Sequence, residues 1–206
     1  TLDRDKFREL ARVDAYDQVR AGIDAALAAG FRRVKLNAVI LRGRNEDEVV
    51  PLARFALERG MDISYIEEMP LGVVARDRGE AFYSSERILE DLGEVFDVVP
   101  STASTGGPSR YYQVAGYDAR IGVISPHSRN FCPSCNRVRV TSTGRLLLCL
   151  GQEHSVDLRA VLREHPEDDE AVREVIRAAM GIKPEGHEFD LTAQPIILRR
   201  MNHTGG

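Results

Sequence analysis

Long apolar runs are missing from this 206-residue chain. Nothing in it approaches the 18 or more consecutive apolar residues of a membrane-spanning helix. The opening TLDRDKFREL is charged and has no apolar centre, so it does not read as a signal peptide. Cysteine is scarce: Cys132, Cys135 and Cys149 are an odd set, too few for a disulfide scaffold. Neither sign of charge dominates, with 28 Lys and Arg against 32 Asp and Glu and a net charge of −4. With 43% apolar residues, that balance excludes a disordered polyampholyte. It also lacks the overall basic character of a nucleic-acid binder. The expectation is a cytoplasmic globular protein of one or two domains, with no membrane or nucleic-acid partner.

One local absence contradicts the average. Residues 119–152 contain no Asp or Glu, yet Arg120, Arg129, Arg137, Arg139 and Arg145 fall inside, with all three cysteines. At the chain's overall acid frequency this window would hold about five acids. An acidic chain therefore reserves one cationic, cysteine-bearing segment.

The first two thirds alternate helical and strand patterns. Val19, Ile23 and Leu27 form an apolar stripe that predicts a helix over 15–29, stopped by Gly30. RVKLNAVIL predicts a strand over 33–41. Asn45 with Glu48 three residues on has the form of a capping box opening a helix over 46–59, which Gly60 ends. A strand over 63–69 and a helix over 85–96 follow. Strand and helix alternating at this spacing is the βα signature of a parallel sheet or barrel. Beyond a small-residue loop at 101–110, strands are predicted over 111–115 and 120–125. Segments 137–141 and 145–150 form a hairpin turning at Gly144. Helices over 156–164 and 167–180 complete the order, and residues 196–206 show no periodicity.

The cysteines are the strongest chemical signal. Cys132-Pro-Ser-Cys135 sets two thiolates in one turn, and the hairpin can return Cys149 to the same place. Three thiolates suit zinc, with His154 or His127 as a fourth ligand, or an iron–sulfur cluster with one open iron. Spacing alone leaves the two open. Under the zinc reading the segment is a Cys3His zinc-ribbon module, and its arginines would meet RNA or a protein's acidic patch. Arg137 and Arg139, two apart on a predicted strand, project from one face without a neighbouring acid and suit an anionic ligand. Lys35 and Asn37 share the polar face of their strand, unusual in a parallel sheet. Glu67, Glu68 and Met69 end a strand, where the sites of βα folds gather. The histidines show no two-ligand spacing.

Cys-Pro-Ser-Cys-Asn-Arg-Val-Arg-Val-Thr, Gly144-Arg145 and Cys149-Leu150 together resemble the cluster motif of the GTP 3′,8-cyclase family, radical S-adenosylmethionine enzymes of molybdenum-cofactor biosynthesis. The resemblance extends to Val34-Lys35-Leu36-Asn37, Ile66-Glu67, Met69-Pro70-Leu71 and Gly205-Gly206. It implies an α/β chain: part of an incomplete (β/α)6 radical SAM TIM-type barrel over 1–100, then a C-terminal hairpin and helical cluster-binding region over 101–206. It also implies that Cys132, Cys135 and Cys149 hold a [4Fe–4S] cluster whose open iron meets the guanine of GTP. Arg137, Arg139 and Lys35 then contact GTP, and the backbone of Met69 contacts S-adenosylmethionine. The implied partners are a second copy in a homodimer and the cyclic pyranopterin monophosphate synthase that receives the product. The family's N-terminal C-x-x-x-C-x-x-C, holder of a second [4Fe–4S] cluster, has no counterpart, since no Cys precedes Cys132. The chain therefore reads as the C-terminal two thirds of such an enzyme, inactive alone. Ser64 stands where the family usually has an arginine.

Overall fold

A computed structural model describes residues 1–74, 77–193, 197–199 and 204. The terminal Gly205-Gly206 lies outside them. The chain divides into two compact units, 1–68 with 80–129, and 69–79 with 130–206.

The first unit opens with α1 (Arg4–Ala11), capped by the Asp3 carboxylate, which accepts from Lys6 N, and α2 (Tyr16–Ala28). Ile23 and Leu27 of the stripe pack on the core, whereas Val19 stays exposed. Then come β1 (Lys35–Val39), α3 (Val49–Leu57) and β2 (Asp62–Ile66). The one-turn helix α4 (Arg78–Ala81) bridges the sequence division. α5 (Ser85–Gly93) follows, capped by Ser84, whose hydroxyl accepts from Arg87 N. The unit closes with β3 (Val98–Pro100), β4 (Arg110–Val114) and β5 (Arg120–Ile124).

The expected capping box does not form. Residues 46–48 make a 3-10 turn ahead of α3, and Asn45 is spent on the preceding loop, accepting from Leu41 N and donating to Val39 O. Glu48 is buried and accepts from Leu2 N and Thr1 Oγ1 instead. Long-range donors outcompete the local cap.

The five strands make one mixed sheet in the order β1-β2-β5-β4-β3. β1, β2 and β5 pair in parallel, and β4 pairs antiparallel with both β5 and β3. The α/β class is as expected, but the sheet is not wholly parallel. Five residues link β4 to β5, far too few for a crossover, so this pair must be antiparallel.

The two faces of the sheet differ. Leu36, Ala38, Ile63, Tyr65, Ile121 and Val114 pack with Leu52, Ala56, Ile88 and Leu92 of the helices in one apolar core. Pairing puts Asn37, Ser64, Gly122 and Tyr111 in one row on the opposite face. There the Ser64 and Ser109 hydroxyls bond to each other at 2.8 Å. A Cβ on Gly122 would fall inside contact distance of both. Gly122→Ala is expected to cost about 2 kcal/mol by overpacking, read as a lowered thermal midpoint. The same change in a Ser64→Ala, Ser109→Ala background should cost little, because both obstructing oxygens are gone.

The second unit is built on a three-stranded antiparallel sheet, β6 (Arg139–Val140), β7 (Arg145–Leu147) and β8 (Ser155–Asp157). Helices α6 (Leu158–Glu164) and α7 (Asp169–Gly181) pack on it, with Leu146, Leu148, Leu158 and Ala179 buried together. The predicted hairpin is present but short. Gly144 turns it at φ 80°, and its carbonyl accepts from Leu158 N and Arg159 N, so the turn also starts α6. A Cβ at Gly144 would lie 2.7 Å from that of Arg159, so the position excludes larger residues by space as well as by backbone angle.

Candidate functional site

Cys132-Pro133-Ser134 forms a 3-10 turn, closed by Cys135 N donating to Cys132 O at 3.0 Å. Asn130 Oδ1 accepts from Cys132 N at 2.7 Å and holds the turn's entrance. Cys149 sits between β7 and β8, where Leu148 N donates to His154 O. All three thiols are free and half-buried. Burial pushes the Cys149 thiol up and the Cys132 and Cys135 charges add to it, against a bond from Gly151 N and the Lys183 charge, which lower it. Burial also raises Cys135, but the Arg137 backbone and guanidinium, with Lys183, outweigh it and hold this thiol below the ordinary value. Gly186 lies against Cys132, where a Cβ would come 3.7 Å from Sγ.

Arg137 does not share a strand with Arg139, because β6 begins only at Arg139. The cysteine turn holds the chain irregular up to that point, so the common strand face inferred from their spacing is absent. Arg137 Nη2 donates to Cys135 Sγ at 3.6 Å, and its guanidinium lies 5.0 Å from the Phe131 ring centroid. Arg139 Nη1 donates to Thr204 O at 3.5 Å. Neither has a carboxylate partner among the described residues. Met69 begins a tight turn in which its carbonyl accepts from Leu71 N at 2.8 Å. These residues all belong to the second unit.

Lys35 belongs to the first unit. At the edge strand β1, its Nζ donates to Tyr111 Oη at 3.0 Å and lies 5.1 Å from that ring's centroid. The Arg120 guanidinium lies 4.3 Å from the same ring. Arg120 is neutralised by buried Asp62, Nη2 to Oδ2 at 2.6 Å. Burial pushes the Tyr111 hydroxyl up, but bonding to Lys35, Thr105 and Ser109 and the Lys35 charge bring it below the usual tyrosine value. Buried Glu67, at the end of β2, accepts from Ser85 N, His127 N, Ser128 N and Ser128 Oγ. His127 Nε2 is engaged with the Glu68 carbonyl at 2.8 Å.

Sequence reasoning missed Tyr111, Ser109 and Lys183, and counted Arg120 only among the arginines of the acid-free window. The signal for Tyr111 was its alternation with Tyr112 and Gln113 on a strand with one polar face. Lys183 carries none, since its charge acts on Cys135 and Cys149 only through the fold of the second unit.

Among the described residues no three His, Cys, Asp or Glu side chains converge on a single ion. A cubane makes a different demand, since its three thiolates bind three separate irons and need not meet at one point. The donors that are present, three free thiols in a segment without carboxylates, are the soft set such a cluster takes. In donor chemistry the residues suit the group.

The family model described as Molybdenum Cofactor Synthesis C matches residues 61–189, well over half of the chain and including all three cysteines. The chain belongs to this family. Whole-chain similarity agrees. A GTP 3′,8-cyclase of Saccharophagus degradans is 55% identical over 207 residues, covering 100% of this chain and 62% of the relative. One of Pseudomonas entomophila is 56% identical over 208 residues with the same coverage, and one of Marinobacter nauticus is 52% identical over 207. The chain thus spans about 62% of the length of the first two relatives. As a Molybdenum Cofactor Synthesis C member, it places its cysteine turn and hairpin in one compact unit. No helix among the described residues is long and apolar enough to cross a membrane.

Proposed function

We propose that the chain is the C-terminal, nucleotide- and cluster-binding part of a GTP 3′,8-cyclase. That enzyme converts GTP, with S-adenosylmethionine, to (8S)-3′,8-cyclo-7,8-dihydroguanosine 5′-triphosphate in molybdenum-cofactor biosynthesis. The observation that carries the reading is identity of about 55% along the whole chain to proteins of that name, through a segment whose only cysteines are three free thiols.

Cys132, Cys135 and Cys149 would hold a [4Fe–4S] cluster. When bound, it supplies an open, Lewis-acidic iron for the guanine base. The chain's own residues do the rest. Arg137, Arg139 and Lys35 bind the nucleotide's negative charge, guanidiniums in bidentate fashion and the ammonium as a point charge. None of the three has a carboxylate partner among the described residues, which leaves that charge available. Fixing substrate orientation in this way can lower a barrier by several kcal/mol. The Met69 backbone would contact S-adenosylmethionine. Three cysteines serve one cluster only, so this polypeptide alone is expected to bind GTP without cleaving S-adenosylmethionine. The incomplete barrel, the homodimer, the cytoplasmic setting and transfer of product to the cyclic pyranopterin monophosphate synthase belong to the same proposal.

The test is metal and sulfide analysis of anaerobically purified protein, with GTP titration by calorimetry. The expected result is a brown protein with about four iron and four sulfide per chain. Arg137→Ala and Arg139→Ala should each weaken GTP binding about tenfold. Colourless protein holding one zinc that depends on His154 would replace this reading with the zinc ribbon.

A further inference from the structure

On the polar face of the first unit's sheet, Lys35 and Tyr111 stand on β1 and β4, with β2 and β5 between them. Three strand spacings amount to about 14 Å. Their tips nevertheless meet at 3.0 Å, so the two long side chains lean toward each other across the face. The other cation there is spent: Arg120 is tied to Asp62 through its backbone N–H at 2.9 Å and its guanidinium at 2.6 Å. Ser64 is fully buried with its hydroxyl bonded to Ser109, so the middle of the row offers no charge. Lys35 is exposed and has no carboxylate partner among the described residues. A lysine on an exposed edge strand ordinarily samples many rotamers, and ordering it costs entropy. Here the buried Tyr111 ring and hydroxyl hold it, and Thr105 Oγ1, 3.3 Å from the hydroxyl, orients that hydroxyl in turn.

We infer that Tyr111 is a positioning residue: it presents the Lys35 ammonium as a preorganised binding point for a polyphosphate on this face. The inference deepens the nucleotide reading and rests on it for the identity of the nucleotide, while the probe below tests the anion subsite separately. The Tyr111 hydroxyl accepts from the ammonium, which keeps two further N–H groups for a phosphate oxygen. Binding then loses less freedom than it would with an untethered lysine.

The experiment titrates the full chain with inorganic tripolyphosphate, GTP and guanosine by calorimetry, for the wild type, Tyr111→Phe, Lys35→Met and the double variant. Circular dichroism confirms that each is folded. Tyr111→Phe keeps the ring and removes the hydroxyl, and is expected to weaken tripolyphosphate and GTP about three- to tenfold with guanosine unchanged. Lys35→Met should weaken both anions at least as much, and the double variant should be no worse than Lys35→Met, because Tyr111 acts only through the lysine. A purely structural tyrosine would give additive losses and would weaken guanosine too. Additive losses, or unaltered tripolyphosphate binding in Tyr111→Phe, would overturn the inference. Wild type binding tripolyphosphate but not GTP, with the same variant pattern, would retire the nucleotide reading and leave the subsite standing. Wild type binding neither would sink both.

Discussion

Glu67→Ala is expected to cost the first unit about 3–5 kcal/mol, because it strands four donors that had shared one buried carboxylate. The carboxylate is fully buried and gathers three backbone N–H groups and one hydroxyl, from Ser85, His127 and Ser128. It thereby fastens the end of β2 to the start of α5 and to the loop after β5. Glu67→Gln keeps the shape but turns an amide N–H₂ toward donors, with an expected loss of about 2–3 kcal/mol. Hydrogen exchange of the β2 and β5 amides would report both, and unchanged protection would refute the staple. The sign of the acid response follows from the same contacts. Burial raises the carboxyl's affinity for a proton, but the bonds from Ser128, Ser85 and His127 outweigh it and hold the group below the usual glutamate value. A folded-state value below the unfolded one means stability that is fully present above the ordinary carboxyl range. It is lost as pH falls through the lowered folded value. The wild type should therefore lose protection on acidification more steeply than Glu67→Gln does.

Asp62→Ala should be comparably severe, again about 3–5 kcal/mol. Asp62 accepts from the Arg120 backbone and from both ends of its guanidinium, and Arg33 Nη1 lies 3.4 Å away. Removing the acid leaves the Arg120 guanidinium buried beside Tyr111 with no counter-charge. Arg120→Met should cost less, since Asp62 retains exposed Arg33. The pair Asp62→Leu, Arg120→Met should recover most of the loss, because two apolar residues leave no charge to desolvate. Urea unfolding followed by β5 amide exchange would rank the three variants. A double variant no better than Asp62→Ala would show that packing, not the uncompensated charge, sets the cost.

How far each part was legible depends on whether its cause is local. Helix α5 and strands β1, β2 and β5 were read at close to their observed positions, since each carries an apolar repeat and ends near a Gly or Pro. The Asn45–Glu48 capping box was legible and absent, because residues 1 and 2 supply Glu48 with donors that no local pattern announces. The common face for Arg137 and Arg139 failed for a related reason: spacing predicts a face only where the strand continues, and the cysteine turn delays it. β3 and β8, three residues each, are too short to show a period.

The acid-free stretch and the three cysteines are properties of the chain as written. They name the donors the second unit brings: thiols, guanidiniums and no competing carboxylate within 130–152. Only the tertiary structure decided which of those charges remain available. Arg120 lies in the acid-free window yet is neutralised by Asp62, 58 residues earlier, whereas Lys35, outside the window, has no carboxylate partner among the described residues and rests on Tyr111, 76 residues later. Charge is counted along the sequence, but it is cancelled through space, and pairing across a sheet joins residues whose separation in the chain carries no signal.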